Sequence, residues 1–352
     1  MLSDSIVLNN LSNDKISTLA TSQPYICKTP NFLERLGDPW YHLLAQIQHT
    51  INIETHLFWS NRGLISLNLP ITTGTISSPM GISSDSLPVK INLLGVQTYL
   101  ADSMQFSLEY GCRLSERGTY YIMPTFRGEN QDPTHLSQFF HSEAEIKCNL
   151  QSLISLIEQY LLHLCSVIVE KHLSRIERIG KNLNHVKSVI EKKGFDRITF
   201  SEAQALLGST GNYFRYLGGE TSCITREGEK MLIKKFGGAV WLTEMEHRSV
   251  PFYQSYASDP KYAKCADLLL GFGEIVGAGE RHSQSHEVEK ALLEHQVNPS
   301  EFNWYIAMKK SHPLQTSGFG LGVERFLMWI LGHDDIRDMQ ILPRINGINL
   351  YP

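Results

Sequence analysis

The chain contains 352 residues, of which 42% are hydrophobic, 19% charged and 10% aromatic. That length accommodates one large domain or two ordinary ones, and the composition excludes disordered, collagenous and coiled-coil proteins. The 32 basic and 36 acidic residues give a formal charge of −4, so the net charge does not point to a polyanion as partner.

The six cysteines include no C-x-x-C pair and no repeated spacing. This argues against a zinc site and a disulfide framework, and it is typical of a reducing, cytoplasmic location. We expect no secretory signal, because no basic cluster precedes an apolar core at the start. We also expect no membrane partner, because no apolar run reaches the roughly 18 residues that a bilayer requires.

The first predicted elements are a lead-in and a helix. Residues 1–32 are polar and rich in Ser and Asn, which is typical of an N-terminal arm or lead-in, and we expect a single domain over 33–352. Apolar residues at near-helical spacing predict a helix from Trp40 to Trp59 that ends by Gly63.

Strand-like patterns come next, at 63–71, 91–100 and 120–127. The first two are separated by a long loop, 72–88, of a kind that is often functional. The clearest amphipathic pattern then predicts a helix from Leu150 to about Arg178. Because strands and helices are segregated and do not alternate, we predict an α+β fold with an antiparallel sheet flanked by helices.

A basic stretch runs from Lys171 to Lys193, with glutamates interleaved. A solvated helix face explains this pattern. An RNA-facing patch is the alternative.

The first segment with distinctive chemistry is 126–146, FRGENQDPTHLSQFFHSEAEI, whose turn-rich middle predicts a hairpin. Period two places four residues of the second strand on one face: Phe139, His141, Glu143 and Glu145. Arg127 and Glu129 share a face of the first strand. Burying these charged side chains without water or a ligand would cost too much free energy. The face therefore either binds a charged ligand such as a nucleotide or is an exposed polar sheet face.

The second segment is 267–281, DLLLGFGEIVGAGER. Gly271 and Gly273 allow a tight turn that brings Asp267 and Glu274 together. Two carboxylates suit Mg²⁺ on a triphosphate, and Arg281 can read an anion. A structural turn with surface charges is the alternative.

The third segment is 318–332, GFGLGVERFLMWILG, in which a glycine-rich strand enters a helix. Its spacing is not G-x-G-x-x-G, which argues against a dinucleotide fold. Backbone without side chains lets a nucleotide lie close, while Arg325 supplies charge for a phosphate. A buried strand-to-helix turn explains the same pattern.

Taken in this order, the three segments resemble the catalytic core of class II aminoacyl-tRNA synthetases, specifically the asparaginyl and aspartyl branch. The similarity runs from about residue 33 to the C-terminus. Residues 64–71 resemble the family's first motif, which builds the dimer interface, 126–146 the second and 318–344 the third. The resemblance implies the class II sheet, ATP and Mg²⁺ as substrate and cofactor, amino-acid adenylation and a homodimer.

The resemblance also implies roles for single residues. Arg127 would contact the α-phosphate and the substrate carboxylate. Glu129 and Phe139 would contact the adenine. His135 and Arg325 would contact the γ-phosphate. The family's metal-binding acids are matched by Asp267 and Glu274. The ammonium and side chain of the amino acid would be held by Gln105, Glu143 and Arg281.

Leu108 and Glu109 bear on the choice of amino acid. Aspartyl members place a lysine at the first position, whereas asparaginyl members have an apolar residue followed by glutamate. Glu109 can accept a hydrogen bond from a neutral amide but repels a second carboxylate, which favours asparagine or an amide-bearing analogue over aspartate.

Departures from the family bear on tRNA. The lead-in is too short for an N-terminal anticodon-binding barrel, the loop between Glu129 and His135 is shorter than usual, and Thr134 stands where an arginine normally precedes the histidine. We therefore predict transfer of the acyl group to a small nucleophile, ammonia or an amine, as in asparagine synthetases built on this core. The alternatives are a tRNA ligase that recognises only the acceptor stem and a non-catalytic sensor of amino acids or nucleotides.

Overall fold

The computed structural model describes residues 32–77, 86–208, 212–218 and 220–347. Nearly all of the predicted lead-in and part of the predicted loop 72–88 therefore lie outside the described residues. The helices are α1 Phe32–Arg35, α2 Pro39–Ser60, α3 Gln105–Gly111, α4 Leu150–Arg178, α5 Asn184–Lys192, α6 Phe200–Leu207, α7 Arg226–Lys235, α8 Ser285–Glu294, α9 Asn303–Ser311 and α10 Val323–Ile330. The strands are β1 Ile65–Ser66, β2 Thr72–Thr73, β3 Val89–Leu93, β4 Val96–Leu100, β5 Gly118–Phe126, β6 Gln138–Ile146, β7 Asp196–Thr199, β8 Phe214–Gly218, β9 Thr221–Ile224, β10 Ala239–Thr243, β11 Cys265–Leu270, β12 Gly273–Glu280 and β13 Ser317–Gly322.

A central sheet organises the described residues. Its eight strands follow the order β1-β5-β6-β13-β12-β11-β10-β7. The interior pairs are antiparallel, and only the edge strands β1 and β7 run parallel to their neighbours. This sheet, flanked by helices, confirms the predicted α+β class.

Helices α2 and α4 pack together and cover one face of the sheet. Both agree with the predicted helices. The hydroxyl of Tyr160, on α4, lies 2.6 Å from Thr55 Oγ1 on α2 and 3.0 Å from Ser142 Oγ on β6, so it links both helices to the sheet. By length and composition α4 is apolar enough to cross a membrane, but its apolar side is buried in this core, as in the core helix of a globular domain.

Alternation along β6 and β13 separates a dry face from a polar one. Ala144 and Ile146 of β6, with Phe319 and Leu321 of β13, belong to the apolar core. The residues between them, including Glu143 and Glu145, point to the opposite face. The predicted division of the second hairpin strand is therefore observed.

Two predicted strands differ from the structure. The stretch 91–100 is part of a hairpin, because the chain turns at Leu94 and Gly95, whose φ angles are 52° and 86°. The alternating stretch 63–71 holds only the two-residue strand β1. The basic stretch has Lys171 exposed on α4, with its Nζ 2.7 Å from Glu54 Oε1, as a solvated helix face predicts.

Candidate active site

A cleft lies on the polar face of the sheet, and it consists of two adjoining cavities of about 150 and 360 Å³. The cavities share the lining residues Arg127, His141, Glu274 and Gly320. The smaller one is also lined by His135, Phe139 and Arg325. The larger one is lined by further predicted residues: Gln105, Glu143, Asp267 and Arg281.

Arg127 directly follows β5, Arg325 lies on α10, and the guanidinium groups of both reach the same cavity. Arg325 Nη1 donates a hydrogen bond to the Glu274 carbonyl oxygen at 2.9 Å, while Arg127 Nε is buried without a partner in the described part of the chain. Burial, together with the charge of Arg127, lowers the pKa of Arg325. Two cations held near each other in this way fit a polyanionic ligand.

The acid pair lies beside these cations. The two-residue turn between β11 and β12 has φ angles of 65° at Gly271 and 146° at Gly273, which favour glycine. Asp267 and Glu274 then meet over Gly277, where a Cβ would lie 2.8 Å from Glu274 Oε1 and 3.6 Å from Asp267 Oδ1. Burial and the Glu274 carboxylate raise the pKa of Asp267 well above its ordinary value.

This donor set fits Mg²⁺. A hard divalent cation takes carboxylate oxygens and is commonly held by one or two of them together with substrate phosphates and water. The mutual repulsion that raises the pKa of Asp267 would be relieved by such a cation. In the described ranges no group of three or more Asp, Glu, His or Cys residues could enclose a metal, so a cation held by this pair would need further ligands from outside these side chains.

Glu229, on α7, is a third acid near this pair. Burial and the Glu274 carboxylate raise its pKa to about 7. The sequence analysis did not predict that Glu229 lies near the cleft, because no periodic pattern places it there.

Arg281, which lines the larger cavity, belongs to a buried ion pair. Arg281 Nη2 lies 3.1 Å from Glu145 Oε2, and the two side chains are 4% and 0% exposed. Gln105 Nε2 donates to the same carboxylate, and Arg281 Nη1 donates to Gln254 Oε1 at 3.2 Å. The group therefore offers a cation, a carboxylate and an amide within one small space.

Gly318 of β13 makes room for this group. A Cβ there would overlap Glu145 and Gln105 and would lie 2.7 Å from Arg281 Nη2. The glycine strand predicted to let a ligand approach thus also lets these side chains cross it.

Glu143 is buried nearby. Its Oε2 accepts hydrogen bonds from Ser103 Oγ at 2.7 Å and from the Tyr121 hydroxyl, and its Oε1 lies 3.0 Å from His141 Nδ1. Because this carboxylate lines the larger cavity, it can hold an ammonium group there.

Glu109 is bonded to protein groups. Its carboxylate is 1% exposed, accepts a hydrogen bond from the Tyr305 hydroxyl at 2.6 Å and forms an ion pair with Lys309. It is not among the residues that line the cavity. A contact between Glu109 and a substrate amide stays a prediction.

Glu129 also lies outside the lining residues, and its Oε1 accepts a hydrogen bond from the Leu87 N–H at 2.8 Å. A contact with adenine stays a prediction for this residue. Phe139 does line the smaller cavity, with its ring centroid 5.5 Å from the Arg127 guanidinium. His135 lines it too, and its Nδ1 lies 2.9 Å from Asp132 Oδ1.

Two residues that contact Arg281, Glu145 and Gln254, were given no individual role by the sequence analysis. For Glu145 the signal was present, because it shares the polar face of β6 with Glu143. Gln254 lies in an irregular segment before β11, where no pattern marks which side chains reach the cleft.

Comparison with known families decides the class. The family described as tRNA synthetases class II (D, K and N) matches residues 32–346. The chain belongs to this family. As a class II synthetase it carries a catalytic domain of the amino-acid-adenylating ligase type.

Related class II synthetases cover most of the chain. The asparagine–tRNA ligase of Sorangium cellulosum is 26% identical over 317 residues, which are 86% of this chain and 69% of the relative. That of Rhodopirellula baltica is 29% identical over 354 residues, covering 91% and 71%. The structure of Pyrococcus horikoshii asparaginyl-tRNA synthetase with asparaginyl-adenylate superposes with a TM-score of 0.82 at 23% identity, over 94% of this chain and 74% of that one. These matches confirm the class II fold.

Proposed function

We propose that this class II synthetase activates asparagine, aspartate or a close analogue as an acyl-adenylate. One observation carries the proposal: Arg127 and Arg325, without carboxylate ion pairs in the described ranges, share a cleft with the acids Asp267 and Glu274. An oxygen of the substrate carboxylate attacks the α-phosphorus of ATP, and the bond to the β-phosphate oxygen breaks to release pyrophosphate.

The residues of the cleft have separate roles in this step. Arg127 stabilises the negative charge that develops at the α-phosphorus, and Arg325 with His135 holds the departing pyrophosphate. Asp267 and Glu274 would hold Mg²⁺, which when bound neutralises phosphate charge.

The larger cavity supports an amide-bearing substrate. A side-chain amide presents its carbonyl oxygen to Arg281, which lines the cavity and is held in place by the buried carboxylate of Glu145. A side-chain carboxylate would bring a second negative charge close to Glu145. Glu143, which lines the same cavity, receives the ammonium.

For the second step we propose a small nucleophile, ammonia or an amine, whose nitrogen lone pair attacks the acyl carbon and displaces AMP. The loop between β5 and β6 supports this, because it is tied to the C-terminal segment. The Ile336 N–H donates to the Pro133 carbonyl at 2.8 Å, and Asn346 Nδ2 donates to Asn130 Oδ1 at 3.0 Å. The family uses this loop to touch tRNA, and here the Pro133 carbonyl and Asn130 Oδ1 already accept hydrogen bonds from the same chain.

A tRNA ligase that recognises only the acceptor stem is the second candidate. The relatives named above favour it, because each is an asparagine–tRNA ligase. The unpaired cations and the acid pair argue against a sensor without turnover, since such groups are expensive to keep without a reaction to serve.

ATP–pyrophosphate exchange tests the first step, measured with asparagine, aspartate and amide analogues. AMP release with tRNA or with ammonia then separates the two acceptors. We expect exchange with an amide substrate, its loss in Arg325→Ala with the circular dichroism spectrum unchanged, and AMP release stimulated by ammonia. Full exchange in Arg325→Ala would remove the basis of the proposal, and AMP release stimulated only by tRNA would select the second candidate.

We also propose a cytoplasmic homodimer. The apolar side chains of Ile53 and Leu57 on α2 and of Ile65 on the edge strand β1 are 45%, 48% and 48% exposed, and they fit a second copy of this surface. The described cysteines are all free thiols, as a reducing compartment favours.

A further inference from the structure

Beyond Arg325 the cleft continues into a recess of about 80 Å³. The recess shares Thr134, Glu274 and Arg325 with the smaller cavity, so the two are continuous. Its other wall is helix α7, which contributes Arg226 and Lys230. No motif in the sequence predicted that this helix lies at the site.

Arg226 is the first residue of α7 and reaches across to the loop between β5 and β6. Its Nη1 donates to Thr134 Oγ1 at 3.3 Å, and its Nη2 lies 2.5 Å from His135 Nε2. Because His135 Nδ1 faces Asp132 at 2.9 Å, the neutral ring donates from Nδ1 and accepts at Nε2. Burial lowers the pKa of His135, which favours that neutral form.

The recess holds an excess of positive charge. Three cations line it, Arg226, Lys230 and Arg325. Only two carboxylates, those of Glu229 and Glu274, line it with them. Such a recess at the end of a nucleotide cleft fits a phosphate group.

We propose that Arg226 binds the terminal phosphate of the nucleotide and the departing pyrophosphate, supplying from α7 the cation that Thr134 does not provide. This rests on the proposed function, since it assumes a triphosphate in the cleft. The guanidinium exchanges its contacts with Thr134 and His135 for phosphate oxygens, which a planar fork of donors suits. Bound pyrophosphate then links α7 to the β5–β6 loop.

Calorimetric titration with ATP, inorganic pyrophosphate and AMP tests this assignment. We expect Arg226→Ala to weaken ATP and pyrophosphate binding about 10- to 100-fold, the range for losing charged hydrogen bonds, and to change AMP affinity less than about twofold. Lys234→Ala is the matched control, because Lys234 is an exposed cation of the same helix that does not line the recess. It should bind all three ligands as the unchanged protein does.

A double variant separates phosphate binding from damage to the fold. In Thr134→Arg with Arg226→Ser the cation returns from the loop, and we expect affinity for pyrophosphate to recover to within a few-fold of the unchanged protein. Equal pyrophosphate affinity in Arg226→Ala and the unchanged protein would overturn the assignment, and so would a parallel loss of AMP binding. If the unchanged protein binds ATP and pyrophosphate but catalyses no exchange, the proposed function fails while the phosphate site stands.

Discussion

Two buried glutamates form ion pairs with buried cations, and only one of these cations lines the cleft. Arg281 lines the larger cavity, and Glu145 is its fully buried partner. Glu109 pairs with Lys309 and Arg113, and Lys309 Nζ also reaches the carbonyl oxygen of His282. Arg281 can therefore contact a ligand, while the pair of Glu109 and Lys309 fixes α3 against α9.

Substitutions should separate these two roles. Removing the partner of a buried charge costs about 3 to 5 kcal/mol, so Lys309→Met should lower the unfolding free energy by up to about that amount, with Arg113, 3.4 Å from Glu109 Oε1, as the remaining cation. Adding Glu109→Gln should restore part of it, because the buried carboxylate charge is then removed. Denaturant unfolding measures both effects.

Binding assays complete the comparison. Glu145→Gln should raise the KM for the amino acid at least about tenfold, the order expected for one charged hydrogen bond, whereas Glu109→Gln should raise it much less. A large increase in KM for Glu109→Gln at unchanged stability would contradict the structural role and return Glu109 to the substrate.

Glu324 gives the fold a pH dependence. The side chain is 2% exposed, and it accepts hydrogen bonds from the Phe140 N–H at 3.0 Å and from Gln340 Nε2 at 2.7 Å. Burial raises its pKa from an ordinary 4.5 to about 7. Between these values the folded state binds more protons than the unfolded state, so stability falls as the pH rises.

The variant Glu324→Gln removes this titration. From about pH 4.5 to about pH 7 the unchanged protein should lose up to about 3 kcal/mol of unfolding free energy relative to the variant, and the difference should level off above that range. Urea unfolding of both proteins across the range measures it. If the difference in unfolding free energy between the two proteins were the same at every pH, Glu324 would have the same pKa in the folded and unfolded states, and the prediction would be wrong.

At the residue scale, the sequence predicted which side chains share a face within one strand or meet across one turn, because these depend on local periodicity. Alternation placed Phe139, Glu143 and Glu145 on one face, and the glycine turn brought Asp267 to Glu274. The partners of Glu109 could not be predicted, because Lys309 and Tyr305 come from a helix about two hundred residues away in the chain. The contact between Arg226 and the β5–β6 loop could not be predicted either, because 92 residues separate Arg226 from Thr134.

At the element scale, strand β13 is the floor of the cleft. It lies between β6 and β12, so side chains that reach from β6 toward β12 on the polar face pass over it. Its glycines leave space that the neighbouring strands fill with Glu145 and Arg281.

Gly318→Ala should therefore disturb the amino-acid pocket. Its Cβ would occupy the place of Glu145 and Gln105 side-chain atoms, which must move. We expect the KM for the amino acid to rise about tenfold or more while ATP binding changes less, because a small misplacement of site groups costs on the order of 100-fold in rate. Gly74→Ala is the control, since a Cβ there meets nothing within 4 Å. Unchanged amino-acid kinetics in Gly318→Ala would contradict the crowding argument.

The sequence predicted long elements better than short ones. Helices α2 and α4 carry several turns of periodic apolar residues, so their patterns are unambiguous. The hairpin β3–β4 was missed because a leucine occupies the left-handed region at its turn, with φ of 52° at Leu94, a conformation that sequence patterns assign to Gly or Asn.

At the scale of the whole molecule, the exposed stripe on α2 and β1 should be buried between two copies. Leu57→Glu places charges in that contact and should convert a dimer into a monomer in sedimentation velocity, because a buried unpaired carboxylate opposes association. Leu293→Glu is the control, since Leu293 is 68% exposed on α8. A monomeric unchanged protein, or a dimeric Leu57→Glu variant, would contradict the proposed homodimer.

The alternation of β6 has a consequence for how the chain avoids misfolding. If β6 slipped by one residue against β5 and β13, Glu143 and Glu145 would be driven into the aliphatic layer beneath α4, and Ala144 and Ile146 would be left in water. The acidic groups on the substrate-binding face thus also raise the free energy of the registers shifted by one residue. Replacing both with apolar residues would remove that penalty together with the chemistry, and the hairpin would then have several pairings of similar energy.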